Sequence, residues 1–153
     1  MQPIRTLIRQ AIIQLLQASK ALPAKVHAES HCPLALQALP LITVSLDKAN
    51  TLSDWTAHDG EGRLLEMVEQ PIIIKITTSG SQSLEVKLEQ YAAIISEVLA
   101  QDETLGGLVK ALRLEDDAEL SISHEGEQPI GVLTLRFVAL YRRPALNLSI
   151  TCH

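Results

Sequence analysis

Aromatic residues are scarce in this chain of 153 residues: they make up 3% of it, with one Phe and one Trp. A core with so little aromatic bulk has to be built from Leu, Ile, Val and Ala. The same scarcity weakens any role that needs stacking platforms for nucleic-acid bases or aromatic walls for sugars. Cysteine is also rare. Cys32 and Cys152 are too few for a disulfide scaffold, and they fit synthesis in a reducing cytoplasm.

Long apolar runs and excess positive charge are missing as well. The longest unbroken apolar runs, such as residues 91–95, fall far short of the roughly 20 residues that a membrane helix needs. Arg5 and Arg9 are interleaved with the first apolar residues, which is unlike a signal peptide. The net charge of -5 argues against a polyanion as the main partner. We therefore expect no membrane association and no grip on a DNA backbone.

Motifs for catalysis or cofactor binding are also absent from the sequence. There is no Gly-x-Ser-x-Gly, and the Gly-Gly pair at 106–107 lacks the Lys-Ser or Lys-Thr ending of a phosphate loop; it is typical of a left-handed cap after a helix. The acidic groups at 54–61 and 115–117 lack the regular spacing of a calcium loop and are interpreted as solvated turns. We predict that the protein is not an enzyme and holds no cofactor.

Residue types that bind zinc are present, but their spacing is poor. No close pair such as Cys-x-x-Cys occurs, so loop and tail roles explain these residues better than a metal site. The residues concerned are His27, His31, Cys32, Cys152 and His153.

Two segments carry apolar residues at helical spacing. The first helix is predicted over about residues 3–22, where Pro23 stops it. The second is predicted from a cap at Ser81 or Ser83 to about residue 99. Their apolar faces are Ile4, Leu7, Ile8, Ala11, Ile12, Leu15 and Leu16 in the first, and Leu84, Leu88, Tyr91, Ala92, Ile95, Val98 and Leu99 in the second.

Strand patterns fill much of the remaining chain. Strands are predicted at 25–28, at 41–46 and in a closing hairpin around 120–123 and 133–141. Residues 64–78 form a long extended arm in which Pro71 implies an edge or a bulge. Residues 47–62 are predicted to be a polar loop, and a short, helical piece is considered up to residue 114.

These elements predict an α/β fold of the α+β kind: a single mixed β-sheet with both helices on one face and a long β-hairpin arm. One domain is expected over residues 1–143, followed by a C-terminal tail at 144–153.

Five residues are candidates for contacts with a partner. Trp55, His58 and Asp59 lie in the polar segment, where a tryptophan is either a loop anchor on the core or an interface hot spot. Arg142 and Arg143 follow the last strand as a basic pair on an acidic chain; they are either solvated or part of a charged contact between subunits.

The order and spacing of several segments resemble the tail terminator (tail completion) proteins of long-tailed bacteriophages, the family of the lambda minor tail protein U. The resemblance covers about residues 4–143 and leaves the tail from residue 144 outside it. The segments are IRTLIRQAI at 4–12, KVHAES at 25–30, LPLITV at 39–44, DETLGGLV at 102–109, PIG at 129–131 and ALY at 139–141.

The resemblance implies a structural virion protein in the tail, made in the bacterial host cytoplasm. Such proteins form a homo-oligomeric, hexameric ring that ends polymerisation of the tail tube protein and offers the surface for the head-tail connector. DNA would pass through the ring without specific binding, and the family brings no catalytic residues. Two alternatives stay open: a phage neck or head-completion protein, and a small cytoplasmic ligand-binding α/β domain.

Overall fold

The computed structural model describes residues 3–22, 25–28, 40–58, 62, 64–80, 83–115, 118–124 and 128–144, with the backbone alone for residues 53–58. Within these ranges the chain forms two helices and seven strands. They are α1 (Ile4–Ala18), β1 (Lys25–Ala28), β2 (Leu41–Leu46), β3 (Asn50–His58), β4 (Leu64–Ser79), α2 (Leu84–Ala100), β5 (Ala111–Leu114), β6 (Glu119–Ser123) and β7 (Ile130–Pro144).

All of these strands belong to one mixed sheet in the order β1-β2-β4-β7-β5. β1 runs parallel to β2, and the other pairs are antiparallel. β3 lies beside the first half of β4, end to end with β2, whereas β6 lies beside β7, end to end with β5. The predicted α+β fold with a single mixed sheet is confirmed.

The two longest strands form the spine of the sheet. β4 and β7 pair without interruption from Leu65 opposite Pro144 to Ser79 opposite Ile130. β4 is rich in isoleucine, whose branched side chain packs well on a pleated surface. The extended segment predicted at 64–78 is this strand, which forms a hairpin with β3 and then continues as a central strand.

Both helices cover the same face of the sheet. α1 packs on β1 and β2, while α2 contacts β4, β7 and β5 as well as α1. The buried residues recur at helical spacing in the helices and at every second position in the strands, as the sequence predicts. They include Ile8, Ile12 and Leu16 of α1, Leu88, Ile95 and Leu99 of α2, Ile72, Ile74 and Ile76 of β4, and Leu133, Leu135 and Phe137 of β7.

Two local predictions were wrong. Residues 47–62 are not a loop, because β3 occupies Asn50–His58 and pairs with β4. The helical piece considered up to residue 114 is instead a series of turns followed by β5. Both are edge strands that pair with a longer neighbour. β3 lacks a sustained alternation of apolar and polar residues, and the alternation of Leu112 and Leu114 in β5 covers too few residues to identify a strand from the sequence.

The ends of α2 differ in detail from the expectation. Ser83 occupies the position before the helix, but it has a φ of 56° and its side chain makes no capping hydrogen bond. At the other end, turns follow Ala100, and Gly106 and Gly107 adopt φ values of 71° and 91°. The prediction of left-handed glycines is confirmed, although they lie several residues beyond the last helical residue.

Pro71 lies in the middle of β4, which is not an edge strand. Because proline has no N–H, it cannot complete the hydrogen-bonded pair with Asp47, whose own N–H donates to the Pro71 carbonyl at 3.1 Å. The side chain of Gln70 supplies the missing donor: its Nε2 lies 2.6 Å from the Asp47 carbonyl oxygen and 2.9 Å from that of Pro71. The pairing is irregular on the neighbouring segment and not in β4. Asp47 lies opposite Pro71 and Asn50 opposite Glu69, so the two residues Lys48 and Ala49 face the single residue Gln70.

Gln70 itself is fully buried. Its Oε1 has no hydrogen-bond partner, so the side chain is held by its amide nitrogen alone. Burial of a side-chain amide costs free energy unless its N–H groups donate hydrogen bonds.

Substitution of Gln70 by Glu tests this local structure. A carboxylate would replace the amide donor and face two carbonyl oxygens in the core, so we expect the free energy of unfolding to fall by about 3 kcal/mol. Gln70→Met is the matched control, with an expected loss of about 1 kcal/mol because it adds no charge. Urea unfolding measures both, and a Glu variant as stable as the Met variant would contradict the assignment.

A second prediction concerns the close approach of α2 to β7. A Cβ on Gly131 would lie 2.7 Å from Cδ1 of Leu88 and 3.1 Å from the side chain of Leu84. Gly131→Ala should therefore destabilise the protein by about 1–3 kcal/mol in thermal or urea unfolding, since α2 has to shift. Gly80→Ala, which meets nothing within 4 Å, should change stability by less than about 0.5 kcal/mol.

Candidate functional site

The five residues proposed from the sequence do not form one cluster that the structure describes. Trp55 and His58 lie in β3, and their side chains are outside the described part. Asp59 lies outside the described residues altogether. The register of β3 passes from Leu52 opposite Met67 to Thr56 opposite Glu66, so Trp55 belongs to an insertion of three residues in the strand.

Arg142 and Arg143 are adjacent in β7 and therefore project to opposite faces of the sheet. Arg143 lies on the helix side, where its Nε donates to Oε1 of Glu66 at 2.6 Å and its Nη2 donates to Oγ1 of Thr51 at 3.2 Å. It thereby links β7, β4 and β3 within one chain. Because they lie on opposite faces, the two arginines do not form one basic spot.

A second polar cluster lies where the flanking strands are interrupted. Arg136 of β7 places its Nη2 3.0 Å from Oδ2 of Asp47 and its Nε 3.3 Å from Oε2 of Glu115. Asp47 is the residue after β2, and Glu115 is the residue after β5. One guanidinium therefore connects the ends of the two strands that flank the β4–β7 pair. Each of the three side chains is nearly half exposed to solvent. Water screens the ion pairs, so their net contribution to the stability of the fold is small.

Asp47 is the most connected residue of this cluster. Its Oδ1 accepts the N–H of Lys48 at 2.8 Å, and its carbonyl oxygen accepts Nη2 of Arg5 at 3.3 Å in addition to the Gln70 amide. The N–H of Lys48 and then the Arg136 guanidinium hold the pKa of the Asp47 carboxyl below its ordinary value of 3.8. The carboxylate is therefore the form that the fold prefers.

The edge formed by β5 and β6 exposes apolar side chains. Every residue of β6 is exposed although the strand pairs with β7. Leu114, Leu120 and Ile122 retain 47%, 37% and 38% of their exposure. Their partners in the register are Phe137, Leu133 and Gly131, so all three lie on the helix side of the sheet. An edge strand with exposed apolar residues is a typical site of association.

Two shallow grooves border the helices. One, of about 240 Å³, lies between α2 and β5 and is lined by Leu99, Leu112, Leu114 and Phe137 together with Glu103 and Arg113. The other, of about 270 Å³, lies between α1 and the turn after α2, beside Leu15 and Leu105. Both are smaller than the usual site for a drug-sized ligand.

The described residues contain no group of three His, Cys, Asp or Glu side chains that could hold a metal ion. No helix in the described ranges is long and apolar enough to cross a membrane. Comparison of the chain with models of protein families and with curated proteins finds no match.

Sequence reasoning missed Asp47, Glu115 and Arg136 as a group. Asp47 follows a strand that the sequence predicts, and Arg136 lies on the polar side of another, whereas Glu115 belongs to an acidic group that was interpreted as a solvated turn. What the sequence did not indicate is that β2 and β5 end at a similar level on either side of the β4–β7 pair, which brings the two carboxylates to one arginine.

The lowered pKa of Asp47 predicts a specific dependence of stability on pH. The unfolded chain binds a proton near pH 3.8 and the folded chain only below it, so stability is lost as the pH falls through this interval. Asp47→Asn should be less stable than the wild type at neutral pH, and the difference should shrink below about pH 4. Urea midpoints measured over a pH series provide the test, and a difference that stays constant or grows in acid would contradict it.

Proposed function

We propose that this protein is a tail terminator of a long-tailed bacteriophage or prophage. In this role a hexameric ring of the chain caps the tail tube, ends polymerisation of the tail tube protein and presents a surface to the head-tail connector. The protein is then a structural component of the virion tail, made in the host cytoplasm. The proposal takes its identity from the order and spacing of the sequence segments between residues 4 and 143.

The structural observation that best supports the proposal is the character of the sheet edges. β1 and β5 are the terminal strands of the sheet path, and β6 displays Leu120 and Ile122 on its exposed surface. A closed ring needs heterologous contacts, in which one patch of a subunit meets a different patch of the next. Two dissimilar edges on opposite sides of one sheet supply such patches, because strands can extend a sheet across a subunit boundary.

The overall charge is compatible with DNA passing through such a ring. A net charge of -5 does not favour tight binding to a phosphate backbone, which depends on Lys and Arg contacts. An opening lined by an acidic protein lets DNA slide without adhering to the wall. We therefore expect no specific DNA contact in this role.

Deletion of the coding gene from the phage or prophage that carries it tests the proposal. We expect tail tubes of variable and excessive length without attached heads in electron micrographs, because nothing ends polymerisation. Expression of the wild-type chain from a plasmid should restore uniform tails joined to heads, and this is the control.

Other outcomes of the deletion have distinct meanings. Tails of uniform length that lack heads would favour a neck or head-completion protein. Uniform tails that carry heads would contradict a role in tail assembly and would favour the alternative of a small ligand-binding domain.

A further inference from the structure

Positive charge collects at the β1 end of the molecule. Residues 1–29 contain four arginines and lysines, at 5, 9, 20 and 25, against one acidic residue, Glu29. Arg5 contacts the Asp47 carbonyl oxygen after β2, whereas Lys20 and Lys25 lie between the end of α1 and β1, on which α1 packs. Lys20, Lys25 and His27 are exposed there. We refer to β1 with Lys20, Lys25 and His27 as the basic edge.

Acidic residues are concentrated in the part of the sequence that contains β5 and β6. The sequence from 110 to 127 contains six acidic residues, Glu115, Asp116, Asp117, Glu119, Glu125 and Glu127, against Lys110 and Arg113. Arg113 lies 3.8 Å from Glu69 of the same chain. Glu115 and Glu119 are exposed in the described part. We refer to β5 and β6 with Glu115 and Glu119 as the acidic edge.

The acidic edge also offers apolar surface. Leu114, Leu120 and Ile122 form a row on its helix side, and the groove between α2 and β5 opens beside Leu114. An acidic surface of this kind fits an extended and basic strand. The basic edge has this composition, because Lys25, His27 and Ala28 are exposed, whereas Val26 is buried in the core of its own chain.

We propose that the acidic edge of one copy docks the basic edge of a second copy, head to tail, so that the two sheets continue across the contact. The proposal deepens the proposed function, on which it rests for the closure of a ring, by naming the surfaces that join neighbouring subunits. β1 has four residues, and β5 and β6 have four and five, so the strands match in length.

Charge decides the orientation of the contact. A two-fold contact through the acidic edges would place Glu115 and Glu119 near their own copies, and one through the basic edges would do the same for Lys20 and Lys25. Like charges on facing strands are destabilising, whereas opposite charges are stabilising. Only the head-to-tail pairing of unlike edges avoids this repulsion at every contact, and it also leaves a free edge of each kind for the next copy.

Charge reversal at each edge tests the proposal. The first variant, Lys20→Glu with Lys25→Glu, reverses the basic edge; the second, Glu119→Lys with Ser121→Lys, reverses the acidic edge without touching the Arg136 cluster. Sedimentation equilibrium of the full chain over a concentration series should show self-association that is about tenfold weaker for each variant alone. Lys87→Glu with Glu89→Lys, on the exposed surface of α2, is the matched control and should associate as the wild type does.

An equimolar mixture of the two edge variants provides the sharper result. The reversed basic edge of one variant is then complementary to the reversed acidic edge of the other, and the remaining edges are wild type. Association should recover in the mixture to about the wild-type level. A wild-type chain that stays monomeric throughout the series, variants that associate like the wild type, or a mixture that does not recover would overturn the proposal.

Cross-linking gives a second measurement that does not depend on charge. His27 and Ser121 lie on the face of the sheet away from the helices, as their register with Thr43 and Val132 indicates. In a background of Cys32→Ser and Cys152→Ser, a mixture of His27→Cys and Ser121→Cys chains should form disulfide-linked dimers. Each chain alone should form far fewer, and equal yields in the single-variant samples would contradict the head-to-tail contact.

The edge contact and the tail function can fail separately. If the chain does not self-associate but tail assembly still depends on its gene, the proposed edge contact is wrong and the proposed function stands. If the chain associates head to tail but deletion of its gene leaves tails intact, the proposed function is wrong and the edge contact stands.

Discussion

The hydrogen bond from the Gln70 side chain to the Asp47 carbonyl oxygen allows a proline in the centre of the sheet. Pro71 removes one donor from β4 at the level where β2 ends, and the neighbouring amide replaces it at 2.6 Å. β4 can therefore continue for 16 residues and pair with β7 from Leu65 to Ser79. The irregularity is transferred to the shorter strands beside it, which are less costly to interrupt.

This transfer shapes the surface of the molecule. On one side of the spine β2 and β3 are separated at Asp47, and on the other β5 and β6 are separated after Glu115. Arg136 connects the two interruptions across β4 and β7. The sheet consequently ends in short strands on both sides, and one of these ends is basic while the other is acidic and partly apolar. A surface of this kind fits assembly through edges.

The parts of the fold with a strong hydrophobic period could be predicted from the sequence. Ile8, Ile12 and Leu16 repeat every four residues in α1, and Leu133, Leu135 and Phe137 alternate in β7, so each segment fixes its own buried face. β3 and β5 could not be predicted in this way because they are edge strands that depend on pairing with β4 and β7. The bond between Gln70 and Asp47 joins residues 23 positions apart, so it became visible only once the register was known.

The candidate site was less predictable than the fold. Arg143 was chosen for its position after the last apolar residues, but its partners Glu66 and Thr51 come from strands far away in the sequence. The sequence shows that basic and acidic residues are concentrated in different segments. Only the strand order shows that β1 (residues 25–28) and β5 (residues 111–114) lie at opposite ends of the sheet.

The proposed role requires a ring of identical copies at the end of a tail tube. Cryo-electron microscopy of tails isolated from the phage or prophage that encodes the chain would locate the chain and count its copies. We expect six copies in one closed ring at the end that meets the head. A tail end without the chain, or with a single copy of it, would be incompatible with the proposed role.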